Sequence, residues 1–193
     1  VLADSVKCIS EEAFCKCTAL EEINLKHVQT LGRHAFQKCE KLRSVELHGE
    51  NVGGHAFESC TSLSDVTLEN TKVIEENAFD GCSNMERVVL PEGITQIGGK
   101  AFARCGLKAV TVPKTVLKTG NESFSECQEI TIYDTIDPDA EPCEKYLDEI
   151  NGSPNSLVGY IGIGRAWALW SCAANHTWKN YEIIVRKAET DEI

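Results

Sequence analysis

The chain has 193 residues, enough for one or two domains, and carries a net charge of −11 with 25% charged residues. That balance argues against a nucleic-acid groove and against an anionic membrane surface, since both need clustered Lys and Arg. No apolar run approaches membrane-spanning length, and no basic leader followed by an apolar stretch opens the chain.

One short word recurs from the start of the chain. It reads Ala13-Phe14-Cys15-Lys16-Cys17, then Ala35-Phe36-Gln37-Lys38-Cys39, then Ala56-Phe57-Glu58-Ser59-Cys60. It returns as Ala78-Phe79-Asp80-Gly81-Cys82 and Ala101-Phe102-Ala103-Arg104-Cys105, and fades as Ser123-Phe124-Ser125-Glu126-Cys127. Successive Phe residues are 22, 21, 22, 23 and 22 apart, and the word holds all six Phe of the chain. A fixed period of this size signals a solenoid. Leu2 to Ile9 runs in the same register as Leu90 to Ile97, so residue 1 falls inside a coil. No polar cap precedes it, and the parent protein is expected to extend upstream.

Each coil can be dissected in the same order. After the Cys comes Leu-x-x-Val-x-Leu: Leu20, Ile23, Leu25; Leu42, Val45, Leu47; Leu63, Val66, Leu68; Met85, Val88, Leu90; Leu107, Val110, Val112. The last coil keeps only Ile130 and Ile132. Alternation with period two marks a strand with one buried face, and such strands stack in parallel along a solenoid. A turn and a second apolar pair follow, such as Val28 and Leu31 or Ile94 and Ile97. Gly32, Gly53, Gly98 and Gly120 come next, where positive φ would allow a sharp bend. Phe and Cys three apart share a face of a helix, so the word is expected to make a short helical turn. Phe14, Phe36, Phe57, Phe79, Phe102 and Phe124 would fill the centre. Cys17, Cys39, Cys60, Cys82, Cys105 and Cys127 would be buried thiols acting as small apolar groups, because residues one rung apart suit a disulfide poorly. Cys8 and Cys15 stand where other coils carry polar residues and are expected to be exposed.

The pattern resembles the BspA-like, or Treponema-type, leucine-rich repeats, whose coils run Leu-x-x-Ile-x-Leu-Pro-x-x-Val-x-x-Ile-Gly-x-x-Ala-Phe-x-x-Cys. Residues 85–105 match this almost position for position, and the likeness covers residues 1 to about 133. It implies an α/β repeat solenoid: right-handed coils of 21–23 residues, a parallel sheet, short helical turns and a mixed C-terminal cap. It also implies a non-enzymatic module of a secreted or cell-surface protein, adhering to host or matrix proteins.

Composition changes after Ile132. All three Trp and all four Tyr lie from Tyr133 onward. Residues 134–193 are therefore read as a cap: an acidic connection, a helix from Pro142 to Ile150, a second from Arg165 to Ala174, and a final parallel strand from Tyr181 to Val185. Cys172 is read as packing within it, and a Cys143–Cys172 disulfide, left open, ranks above a catalytic role. Cys172 and His176 form a weak nucleophile–base pair, far from the spacing of known Cys hydrolases. Gly162-Ile163-Gly164 lacks the strand–turn–helix context of a dinucleotide fingerprint. Asn121, Asn151 and Asn175 begin glycosylation tripeptides, which matter only in a eukaryotic secretory setting. Trp167 and Trp170 offer a sugar-stacking surface, which makes a spacer for a hydrolytic or carbohydrate-binding tail the alternative function.

The candidate binding surface is the outward face of the main strands. Its central column is Asn24, Glu46, Thr67, Val89, Thr111 and Thr131. Asp65 and Arg87 lie on one flank, with His48 and Glu69 on the other. Proteins are the expected partners, with carbohydrate second. A further column two residues before each Phe, holding Glu12, His34, His55 and Asn77, is read as solvated. It gives no closed ligand set, so no metal and no cofactor is expected.

Overall fold

The computed structural model describes residues 2–127 apart from 114, 117 and 121, together with two later strands, 131–136 and 182–187. Eleven short strands are described. They are β1 (Cys8–Ile9), β2 (Thr30–Leu31), β3 (Ser44–Leu47), β4 (Asn51–Val52), β5 (Asp65–Leu68), β6 (Val73–Ile74), β7 (Gln96–Ile97), β8 (Ala109–Val112), β9 (Lys118–Thr119), β10 (Thr131–Ile136) and β11 (Glu182–Lys187). Every pairing between them is parallel. Parallel strands joined by one winding each make a solenoid, as the period requires.

The longest continuous sheet is not the one built on Leu-x-x-Val-x-Leu. It joins the two-residue strands of the second apolar pair, in the order β1-β2-β4-β6-β7-β9. The main strands divide instead into a β3–β5 pair and a β11-β10-β8 sheet. Between them, Val88 and Leu90 are buried as the pattern predicts, but they form no main strand.

The Phe word forms no helix, and none occurs among the described residues. The reason lies in the backbone. The residue two before each Phe is left-handed, with φ between 53° and 59° at Glu12, His34, His55, Asn77, Lys100 and Glu122. The residue two after it is left-handed as well, at Lys16, Lys38, Ser59, Gly81, Arg104 and Glu126. A right-handed helix cannot contain such residues. Instead the N–H groups alternate. Those of Ala35, Gln37 and Cys39 close local turns, onto Gly32, His34 and Phe36 carbonyls. Those of His34, Phe36 and Lys38 reach the next coil, onto Gly54, Ala56 and Glu58 carbonyls at 3.0, 2.8 and 2.8 Å. Every coil thus satisfies its corner backbone by stitching to its neighbour.

Positive φ therefore falls on charged and polar residues, not on the glycines expected to carry it. Gly32, Gly53, Gly98 and Gly120 have no such conformation. They are needed because the preceding coil's backbone touches them. A Cβ on Gly53 would lie 2.3 Å from the Leu31 carbonyl oxygen, and one on Gly120 would lie 2.1 Å from the Gly99 nitrogen.

The interior is one apolar cluster. Six Phe rings stack along the axis, with centroids 5.0–5.4 Å apart and planes within 7° of parallel. The thiols do more than fill space. Each buried Cys donates its S–H to the Phe carbonyl of the preceding coil: Cys39 to Phe14, Cys60 to Phe36, Cys82 to Phe57, Cys105 to Phe79 and Cys127 to Phe102, at 3.1–3.3 Å. Cys17 departs from expectation. It is exposed, and Phe14 is only half-buried, because no described coil packs over them. Cys8 is exposed, while Cys15 is half-buried and donates to Gln37 Oε1. No disulfide occurs among the described residues, and Cys143 and Cys172 lie outside them.

Candidate functional site

Strand register decides which outward residues become neighbours. Ser44 pairs with Asp65 and Glu46 with Thr67, while Glu22 bridges Ser44, so the Asn24–Glu46–Thr67 column forms as the repeat predicts. The far end differs. Thr131 aligns with Ala109, and Tyr133 with Thr111. Thr131 therefore leaves the central column for the flank. The slip is two residues, and a two-residue slip keeps every side chain on its own face, so the apolar pattern cannot forbid it. Ile132 accordingly lies opposite Val110, where the repeat would set it opposite Val112.

Four of the predicted residues, Asn24, Glu46, Asp65 and Thr67, line one groove of about 840 Å³ beside Leu2 and Leu20 of the first coil. His48 and Glu69 join them through close polar contacts. His48 Nε2 lies 3.0 Å from Glu46 Oε1, and His48 Nδ1 lies 3.0 Å from Glu69 Oε2. Lys26 Nζ approaches Glu46 at 3.4 Å. The His48 hydrogen bond, followed by Lys26, holds the Glu46 carboxyl below the usual range despite some desolvation. Farther along the face, Arg87 and Thr111 are exposed. Val89 is 79% exposed, the one large apolar side chain so open among the described residues.

The column two residues before each Phe is solvated only in part, with Glu12 exposed. His34 and His55 are half-buried, and their rings stack 4.6 Å apart at 21°. Glu58 joins them from the position after Phe57. Its Oε2 lies 2.8 Å from His55 Nδ1 and accepts a 2.6 Å hydrogen bond from Gln37. Burial raises the Glu58 pKa, but the His55 and Gln37 hydrogen bonds more than offset it and leave it lowered. Sequence reasoning missed Glu58. The signal was present: His55 and Glu58 are three apart, and the left-handed corner turns both onto one edge of the coil.

A second unforeseen pair lies one coil on. Buried Asp80 accepts two bonds from Arg104, at 2.8 and 2.6 Å, and this holds the guanidinium pKa above its ordinary value. The residues expected in the tail to bind sugar or act as nucleophile and base, Trp167, Trp170, Cys172 and His176, lie outside the described residues, as do the two expected helices. Strand β11 pairs with β10 along six residues, Glu182 opposite Thr131. No described helix is long and apolar enough to cross a membrane.

No curated protein matches the chain. Solved structures that resemble it include two leucine-rich repeat proteins. A leucine-rich repeat protein from Bacteroides ovatus is 24% identical, with a TM-score of 0.53 over 70% of this chain and 35% of its own. The T. pallidum leucine rich repeat protein is 26% identical, with a TM-score of 0.54 over 68% of this chain and 60% of its own. The chain thus spans about a third of the first and three fifths of the second. The model of the BspA type leucine rich repeat region matches six times across residues 7–131, more than half of the chain. With stacked parallel coils, a Phe column and a thiol column in the same positions, the chain belongs to the BspA-type leucine-rich repeat family.

Proposed function

We propose that the chain is a non-enzymatic protein-interaction module of a secreted or cell-surface protein, binding a host or matrix protein through the outward face of its main strands. Leucine-rich repeat solenoids generally bind proteins on such faces. The observation that carries the proposal is Val89. An exposed aliphatic side chain is unremarkable on its own, but this one falls by repeat position between Thr67 and Thr111, with Arg87 two residues away in the chain and Glu46, His48 and Glu69 in earlier coils. An apolar centre with a charged rim is the anatomy of a protein interface. The surface location rests on the family resemblance.

The test is binding of the purified chain to a panel of extracellular-matrix proteins, measured by biolayer interferometry. Val89→Asp, with Thr67→Arg or Thr111→Arg, should abolish any saturable binding while leaving the circular dichroism spectrum unchanged. Binding that survives all three changes places the partner elsewhere and refutes the assignment to this face.

A further inference from the structure

We propose that His34, His55 and Glu58 form a binding site for a late first-row divalent cation of the zinc class. Three side chains from two adjacent coils converge here, and one ligand atom of each lies within 4.8 Å of the others. Two imidazoles and a carboxylate are the donors that suit such ions, whereas Mg²⁺ and Ca²⁺ prefer oxygen alone.

The backbone holds the donors in place. Both His residues are locked left-handed at φ 54° and 57°. Their N–H groups bond to the next coil, His34 to Gly54 at 3.0 Å and His55 to Glu76 at 2.9 Å. The Glu58 N–H closes the same corner onto the His55 carbonyl at 3.2 Å. His55 Nδ1 and Glu58 Oε2, at 2.8 Å, need only open to about 3.4 Å, the separation of two ligands around a tetrahedral ion with bonds of ~2.1 Å. The proton that links those two atoms occupies the place of the ion. Binding would shift it: a neutral imidazole has one N–H, which moves to Nε2 on the Glu76 side while Nδ1 turns its lone pair to the ion. His34, whose ring is stacked on His55 at 4.6 Å, must rotate out of that stack to bring its ligand atom in from within 4.8 Å and complete the set.

The surroundings fit as well. Gln37 donates to the ligating Glu58 oxygen, fixing that carboxylate. His55 Nε2 faces Glu76 Oε1 at 3.9 Å, the outer carboxylate that orients a metal-bound imidazole. Glu76 is itself held by Arg33 at 3.0 Å. Three ligands leave room for water.

Isothermal titration of ZnCl₂ into the EDTA-stripped chain tests the proposal, in a background carrying Cys8→Ser, Cys15→Ser and Cys17→Ser so that open thiols do not compete. One equivalent should bind, seen as a saturable heat. His55→Asn copies Asn77, which fills the same left-handed position one coil on, and so preserves the fold. It should weaken zinc binding by roughly tenfold or more. His34→Asn and Glu58→Gln should do the same, with unchanged circular dichroism. His48→Ala, in the separate Glu46–His48–Glu69 group, should have no effect. Absence of saturable binding, binding that survives His55→Asn and Glu58→Gln, or loss on His48→Ala alone would overturn the assignment.

Discussion

Truncating one ring of the central stack measures how strongly the coils depend on one another. Phe57 is fully buried, with Phe36 at 5.4 Å on one side and Phe79 at 5.3 Å on the other. An aromatic side chain removes about 150 Å² or more from water, worth ~4 kcal/mol at ~25 cal/mol per Å². The cavity is walled by stitched backbone and cannot collapse, so Phe57→Ala should cost the full ~3–5 kcal/mol of a buried Phe truncation. Phe14 has one ring neighbour and is half-buried, so Phe14→Ala should cost about half as much, ~2 kcal/mol. Urea denaturation followed by circular dichroism gives both values. A loss below ~1 kcal/mol at Phe57, or equal losses at the two positions, would refute the continuous stack. The m-value is a second readout, because a broken middle coil should uncouple the array and lower the slope.

Two glycines separate sterics from backbone strain. Gly53→Ala should cost about 3 kcal/mol or more, since its Cβ would meet the Leu31 carbonyl oxygen at 2.3 Å. Gly81→Ala meets nothing closer than 3.6 Å and should cost only the left-handed strain at φ 78°, about 1 kcal/mol, in the same urea assay. Burial pushes the Cys39 thiol up to about 11 and the Cys60 and Cys127 thiols to about 12. The folded state therefore holds these protons more tightly than the unfolded chain, whose thiols titrate near 9.0. Their contribution is complete below pH 9.0 and is lost as pH rises through the folded values, so the melting temperature should fall steeply between about pH 9 and 12. Iodoacetamide at neutral pH, read by peptide mass spectrometry, should label Cys8 and Cys17 and spare Cys39, Cys60, Cys82, Cys105 and Cys127. Arg104→Ala strands the buried Asp80 carboxylate and should cost about 2–3 kcal/mol, against less than about 0.5 for Arg43→Ala at an exposed pair with Glu21, both by urea titration.

The sequence by itself determined the winding. A residue type repeated every 21–23 positions must occupy one place per turn, so the period alone aligned the Phe, Ala and Cys columns and the parallel strands between them. It determined the buried faces too, because Val45 and Leu47 alternate with residues that face water. Tertiary structure decided what depends on contact between coils. Whether Phe-x-x-Cys closes as a helix or as stitched turns rests on where alternate N–H groups find carbonyls, and those belong to the next coil. Why Gly53 must be glycine is written in Leu31, one winding away. The register of Thr131 against Ala109 is free in the sequence, because a two-residue slip leaves the apolar pattern intact. The meeting of His34, His55 and Glu58 follows the same logic. The residues are visible in the chain, but only left-handed corners of adjacent coils turn all three toward one point.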